Sequence, residues 1–352
     1  MTRTDTWSAG AAKALGAVLG AGALLLPAAL ATARPGPWPG VAVAGALAGW
    51  CLLVAAAGGT EDSGPVAFVR NRIGPGPARA ATALYFGGFA TGQAGVALGA
   101  AEFALGDSGW RAYAVAAAVL GSAAAYAWCV PQGLSPAGRR LRLAAVLALA
   151  VSWRLLGSPE PGPGPGPGSW TGSWSGGWPG AALLVAVPLL FGWVGLEGAV
   201  PAMARRRALG GTLLGLALAA ALYAVLQAPP ATAAQPPAPA AAAALGIGSA
   251  ALCWTYCRTN LHATAARWTE LTGRTRRGGL VAAGLIALGV LVLGRAARWD
   301  LPVLLIGPGA ATAALYTLIA VAAVRRPRPQ EPTDHDHSDR HRVLEGAARS
   351  AG

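Results

Sequence analysis

Along the chain, apolar residues gather into runs of about 20, the length needed to cross roughly 30 Å of hydrocarbon as a helix. Short clusters of charge, glycine and proline separate them. Ten runs lie near residues 11–32, 39–58, 79–105, 110–130, 141–157, 180–203, 208–227, 241–264, 279–295 and 301–324. This pattern predicts an all-α membrane protein of about ten transmembrane helices. A short cytoplasmic N-terminus, 1–10, would precede a core over 11–324, and a cytoplasmic tail over 325–352 would follow it. The first run has a basic start and Ala31, Thr32 and Ala33 at its end, as a secretory signal would. Cleavage there would leave an odd number of spans and put the basic loops on the wrong side, so the run is read as the first helix.

Composition agrees with a lipid solvent. Hydrophobic residues make up 54% and charged residues 12% of the chain, against roughly 25% charged in an ordinary soluble domain. Mean hydropathy is +0.48. The net charge of +13 does not indicate nucleic acid, because the basic residues sit between greasy segments rather than on one polar face. Their distribution follows the positive-inside rule. With the N-terminus in the cytoplasm, all basic residues except Arg34, Arg111, Arg154, Arg295 and Arg298 fall on the inner side, and the C-terminus is cytoplasmic as well. Alanine and arginine dominate and Lys13 is the only lysine, a bias that points to a high-GC bacterial source and a bacterial plasma membrane.

The connection over 158–179 holds a Pro-Gly repeat followed by Trp170, Trp174 and Trp178, and is read as an external loop with aromatic interface anchors. The Ala/Pro stretch from Pro229 to Pro239 is a second low-complexity connection. The tail carries Asp334, His335, Asp336, His337 and His341 without apolar periodicity, a composition that predicts disorder rather than a metal site. Cys51, Cys129, Cys253 and Cys257 lie in apolar runs and are read as small buried residues, not disulfides or metal ligands. No metal and no cofactor is expected.

Ionisable residues inside the bilayer are costly and therefore the first place to look for function. Three are present: Glu197 in the sixth run, Glu102 toward the outer end of the third and His262 near the inner end of the eighth. Interfacial snorkelling accounts for the last two. So few polar groups argue against an embedded enzyme, since no carboxylate pair or nucleophile with a base partner occurs.

Interrupted helix is the stronger signal. Gly20, Ala21 and Gly22 precede Pro27 in the first run, and Gly192, Gly195 and Gly198 surround Glu197 in the sixth. Glycine and proline weaken helix interiors, and unwound backbone at membrane depth survives only where protein or a water-filled cavity covers it. Runs one and six are five apart, so two five-helix halves, about 11–157 and 180–324, would form an inverted repeat with a small-molecule site between the broken helices. Amides near Ala23 and Leu24 would then accept a carboxylate, and freed carbonyls an ammonium. Close helix packing through small residues is the plainer explanation of the same glycines.

GAGALLLP, Gly20 to Pro27, resembles the first-helix motif G-x-G-[IV]-F-x-x-P of the amino acid, polyamine and organocation transporter superfamily. FGWVGLE, Phe191 to Glu197, is similar to that family's sixth-helix motif, and SGPVAFVRNRIG, Ser63 to Gly74, resembles its first cytoplasmic loop. Bacterial exporters of methionine and branched-chain amino acids look closest. The resemblance implies a secondary transporter with no enzymatic activity, exporting a neutral amino acid by alternating access, with a proton or sodium ion as coupling partner. It places substrate against Gly20, Ala21, Gly22, Ala23 and Leu24, under the aromatic gate Phe191, beside Gly192, Trp193 and Gly195, with Gln93 as a pocket wall. Glu197 becomes the proton-coupling candidate, and Thr255 and Thr259 supply hydroxyls for a sodium site. Leu24 stands where the family has an aromatic residue, Ala21 lacks a common hydroxyl, and the connection from Pro201 to Arg207 is short. A sensor or scaffold that keeps the fold without transporting is the alternative.

Overall fold

A computed structural model of the protein describes residues 7–30, 38–58, 64–106, 109–130, 134–156, 186–203, 206–227 and 238–326. All of 158–179, expected to be an external loop, with Trp170, Trp174 and Trp178, and the tail from 327 on, with its aspartates and histidines, lie outside the described residues. The described residues are helical throughout, with no strand among them. In order they form α1 (Trp7–Val18), α2 (Gly22–Leu30), α3 (Trp38–Ala56), α4 (Pro65–Ile73), α5 (Pro75–Leu105), α6 (Trp110–Cys129) and α7 (Pro136–Leu156). After a helical segment at 186–191 come a 3-10 turn (Leu196–Ala199), α8 (Val200–Met203), α9 (Arg206–Gln227), α10 (Pro239–Thr272), α11 (Arg276–Ala296) and α12 (Leu301–Val324).

Six of these helices, α3, α6, α9, α10, α11 and α12, are long and apolar enough to cross a membrane. Between 28% and 44% of each span is buried inside the protein, so most of each surface faces outward, carrying side chains such as Leu52, Leu218, Leu285 and Val292. Water would not tolerate so continuous an apolar exterior; the chain is a multi-pass membrane protein. The remaining expected spans differ for identifiable reasons. The first is divided into α1 and α2, and the sixth is interrupted after 191. The third, α5, has 31 residues but is diluted by glycine, and α7 carries Arg139, Arg140 and Arg142 at its start.

Local chemistry sets several boundaries. Proline occupies the first turn of α4, α5, α10 and α12, where a missing amide hydrogen costs nothing. α5 and α10 end on left-handed Gly106 and Gly273, and Asp300 caps α12 by accepting from the Val303 amide at 3.3 Å. α10 has 34 residues, about 50 Å of helix, so it outruns the bilayer and extends past the expected end at 264.

α5 is the central post: α10, α12, α6, α11 and α4 all pack on it, and every residue from Gly92 to Ala101 is buried. Gly88, Gly92, Gly95 and Gly99 recur at helical spacing along one face, and side-chain carbon added there would run into Ala311, Phe191, Leu305 and Leu25 respectively. Small residues thus let helices approach closely, as they do generally in membranes. A second such seam joins α1 to α9, where Gly211 and Gly215 meet Trp7, Ala11 and Ala14.

The expected first cytoplasmic loop, 63–74, contains a helix, α4. Arg72 in it, expected in a loop, is 8% exposed. Its guanidinium donates to the carbonyls of Ala57, Gly58 and Arg325 and lies 4.9 Å over the Phe68 ring. It therefore ties the ends of α3 and α12 to α4. His262, expected to snorkel, is also only 8% exposed, with its Nδ1 2.6 Å from Arg276 Nη2. Cys51, Cys253 and Cys257 are buried free thiols, whereas Cys129 at the end of α6 is exposed.

Candidate functional site

The backbone is interrupted where the glycines cluster. α1 stops at Val18 and α2 starts at Gly22, leaving Leu19, Gly20 and Ala21 outside both helices. Residues 192–195 form turns between the segment ending at Phe191 and the 3-10 turn that begins at Leu196. Gly195 has φ 111°, a conformation that only glycine adopts without strain. The two interruptions touch: a Cβ on Gly22 would lie 2.6 Å from Gly192 Cα.

Three tyrosines from distant helices bring hydroxyls to carbonyls at these breaks. The Tyr223 hydroxyl of α9 lies 3.4 Å from the Val18 carbonyl and 3.2 Å from that of Gly192, bridging both breaks. Tyr256 of α10 donates to the Leu19 carbonyl at 3.0 Å. Tyr316 of α12 lies 2.9 Å from the Trp193 carbonyl and 2.8 Å from Glu197 Oε2. Buried backbone oxygens without donors are costly, so the tyrosines make the breaks tenable. The Leu19 carbonyl therefore already has a hydroxyl partner, and that of Val18 accepts from the Gly20 amide at 2.8 Å.

The expected carboxylate amides also move. Ala23 and Leu24 donate to the carbonyls of Gly20 and Ala21 at 3.2 and 3.0 Å, because the first turn of α2 winds tightly enough to use them. Among the described residues, no hydrogen bond from the Ala21 or Gly22 amide is seen in this turn.

A cavity of about 210 Å³ lies against both breaks. Gly20, Ala21, Gly22, Gln93, Phe191, Gly192 and Gly195 line it as expected. Ala23, Leu24 and Trp193 do not: all three are at most 5% exposed, and the Trp193 ring packs 5.3 Å from that of Tyr223. α2 turns the first two into the core, and Tyr223 draws the third away from the cavity. Further walls come from Tyr85 and Phe89 of α5, Tyr256 and Asn260 of α10, Thr312 of α12 and Arg142 of α7.

Arg142 is the residue that counting loop charges misses. It sits nearly two turns into α7, with its guanidinium 4.1 Å over the Tyr256 ring and Nη1 donating to Thr259 Oγ1 at 2.8 Å. Thr259 itself donates to the Thr255 carbonyl, and the Thr255 hydroxyl to that of Leu252. A sodium ion at these hydroxyls would face a guanidinium of like charge, which opposes the expected sodium site at Thr255 and Thr259. Arginines at the ends of apolar runs read as cytoplasmic in sequence; only the fold shows that this one turns inward.

Glu197 is 1% exposed and lies beside the cavity rather than in its wall. Its Oε2 accepts from the Gly195 amide at 2.8 Å and faces Tyr316. Oε1 has no hydrogen-bond partner among the described residues. A void of about 10 Å³ touches Glu197 and shares Tyr85, Gly88, Phe89, Val194 and Thr312 with the cavity, room for about one water molecule. The Tyr316 hydroxyl has one proton for two acceptors. That proton serves either the Glu197 carboxylate or the Trp193 carbonyl at any one time, and Tyr85 of α5 also faces the carboxylate. Gln93 is also 1% exposed, donating Nε2 to the Phe89 carbonyl at 2.9 Å.

No group of three or more metal-ligating side chains occurs among the described residues. No protein-family model matches the chain, and no curated protein matches it in sequence.

Proposed function

We propose that the chain is a secondary transporter of neutral amino acids, working by alternating access at the cavity between the two breaks. The observation that carries this reading is the contact of Gly22 with Gly192 beside a cavity. Interrupted backbone at membrane depth is expensive, and paired interruptions around a hollow are the arrangement by which many secondary transporters hold small polar substrates. In this reading α1 with α2, α3, α5, α6 and α7 form one half, and the segment 186–203, α9, α10, α11 and α12 the other, as a ten-span inverted repeat. The longest helix of each half, α5 or α10, is its third span, and the two pack on each other at the centre. Both termini would face the cytoplasm of a bacterium, with branched-chain amino acids moving outward and Glu197 coupling protons to the second break.

Purified protein in liposomes loaded with leucine or methionine tests this. Saturable exchange of labelled amino acid is the expected result. Binding without flux would instead make the chain a sensor or scaffold built on the same fold, and neither binding nor flux would end the amino acid reading.

A further inference from the structure

Two polar groups in the cavity wall lack the partners that their chemistry requires, and they are of opposite kind. Arg142 is the charged side chain lining the cavity. Its contacts are the Tyr256 face and the Thr259 hydroxyl, and no carboxylate among the described residues pairs with it. Arg142 is half-buried; a guanidinium drawn into a membrane protein's cavity is stabilised by an anion, and its planar fork suits a carboxylate. Gln93 presents the opposite need. Its Nε2 faces the Phe89 carbonyl, which can only accept, so the amide orientation is fixed and Oε1 is the atom left over. That oxygen is buried without a hydrogen-bond partner, in a side chain that is 1% exposed and lines the same cavity.

We infer that Arg142 and Gln93 are the specificity-determining pair of this cavity, selecting a small ligand that carries both a carboxylate and an N–H donor. Arg142 takes the carboxylate, and Gln93 Oε1 accepts from the ammonium. At about 210 Å³ the space falls below the roughly 300–1,000 Å³ of pockets for drug-sized ligands, which fits a single amino acid. The inference rests on the transport reading for its ligand class, but it assigns the carboxylate to a side chain of α7 instead of the amides near Ala23 and Leu24, which are already bonded.

The test is equilibrium binding to the purified full-length protein of leucine, leucinamide, which lacks the carboxylate, and 4-methylpentanoate, which lacks the amine. Wild-type protein is expected to bind leucine at least about tenfold more tightly than either analogue, the one interaction that each analogue lacks being given a factor of about ten. In Arg142→Gln the preference for leucine over leucinamide disappears, while Arg142→Lys keeps a reduced one. In Gln93→Leu the preference over 4-methylpentanoate disappears and that over leucinamide remains. Thermal melting of each variant identifies any that fails to fold, and for those the wild-type preferences and the Lys variant decide. Equal wild-type binding of leucine and leucinamide overturns the Arg142 role, as does an unchanged preference in Arg142→Gln. Equal binding of leucine and 4-methylpentanoate, or an unchanged preference in Gln93→Leu, overturns the Gln93 role. If 4-methylpentanoate binds in an Arg142-dependent way but leucine does not, the amino acid reading and the Gln93 role fail while the anion site stands. If no carboxylate binds, both assignments fail.

Discussion

The two backbone interruptions meet at one point yet are built differently. At the first, Leu19, Gly20 and Ala21 bring no polar side chain; local backbone amides meet the Val18, Gly20 and Ala21 carbonyls, and the side-chain hydroxyls at the break come from outside, on Tyr223 and Tyr256. The second carries its own Glu197, which holds the Gly195 amide and shares Tyr316 with the Trp193 carbonyl. The first is electrically neutral apart from Arg142 stacked on its capping tyrosine; the second contains an ionisable group in the hinge itself. Under the proposed transport function, ligand contact would fall to the first break and its surroundings, and proton coupling to the second.

The largest expected effect comes from the point that the breaks share. Gly22→Ala places a methyl group 2.6 Å from Gly192 Cα, and backbone cannot yield as a side chain tip can. Overpacking of this kind costs about 1–3 kcal/mol, so thermal unfolding in detergent should fall and exchange should stop. Gly198→Ala, where nothing lies within 4 Å, serves as the neutral control. Equal behaviour of the two variants would mean that the breaks do not touch.

Removing one tyrosine hydroxyl from each break tests their inequality. Tyr316→Phe strips a donor shared by a carbonyl and a buried carboxylate and should cost about 1.5–3 kcal/mol, the range for hydrogen bonds to charged groups. Tyr256→Phe strips one carbonyl of its donor while leaving a ring beneath Arg142, and should cost about 0.5–1.5 kcal/mol. Unfolding midpoints measured side by side give the order; a reversed order would remove the distinction drawn here.

Glu197→Gln is expected to have the smallest effect on stability. With the glutamine oxygen in the place of Oε2, it still accepts from the Gly195 amide and still faces the Tyr316 hydroxyl, while the amide nitrogen takes the place of Oε1. Exchange should become insensitive to pH, measured as flux across a pH series in liposomes. A wild-type pH profile in this variant would move proton coupling elsewhere.

How much of this was legible in the sequence depends on the distance over which each interaction acts. Both interruptions were visible, because Gly20 with Gly22 and Gly192 with Gly195 weaken the helix locally, and Glu197 stood out as a charge in an apolar run. The tyrosines were not. Tyr256 meets a carbonyl 237 positions away and Tyr223 one 205 positions away, and nothing near either residue in the chain signals the pairing. Arg142 was hidden for a related reason: a charge at the start of an apolar run resembles every other cytoplasmic arginine until the helix containing it is rotated into place. Leu24 and Trp193, placed in the pocket by motif position, turn into the core because motif order fixes the strand of backbone but not the direction of each side chain. α4 escaped notice because its Pro65–Ile73 segment is short and mixed in polarity, and its burial depends on Arg72 finding three carbonyls on other segments.

The central claim is that peptide groups at 19–22 and 192–195 stand unwound beside a hollow in the middle of the membrane domain. Hydrogen–deuterium exchange of the protein in lipid nanodiscs measures this directly. Peptides covering 19–22 should exchange fastest, since no hydrogen bond from the Ala21 or Gly22 amide is seen among the described residues, followed by 192–195, whose amides are held in short turns and by Glu197. Residues 93–101 of α5 should stay protected, and leucine should slow exchange at both breaks. Exchange at 19–22 as slow as in the centre of α5 would contradict the account.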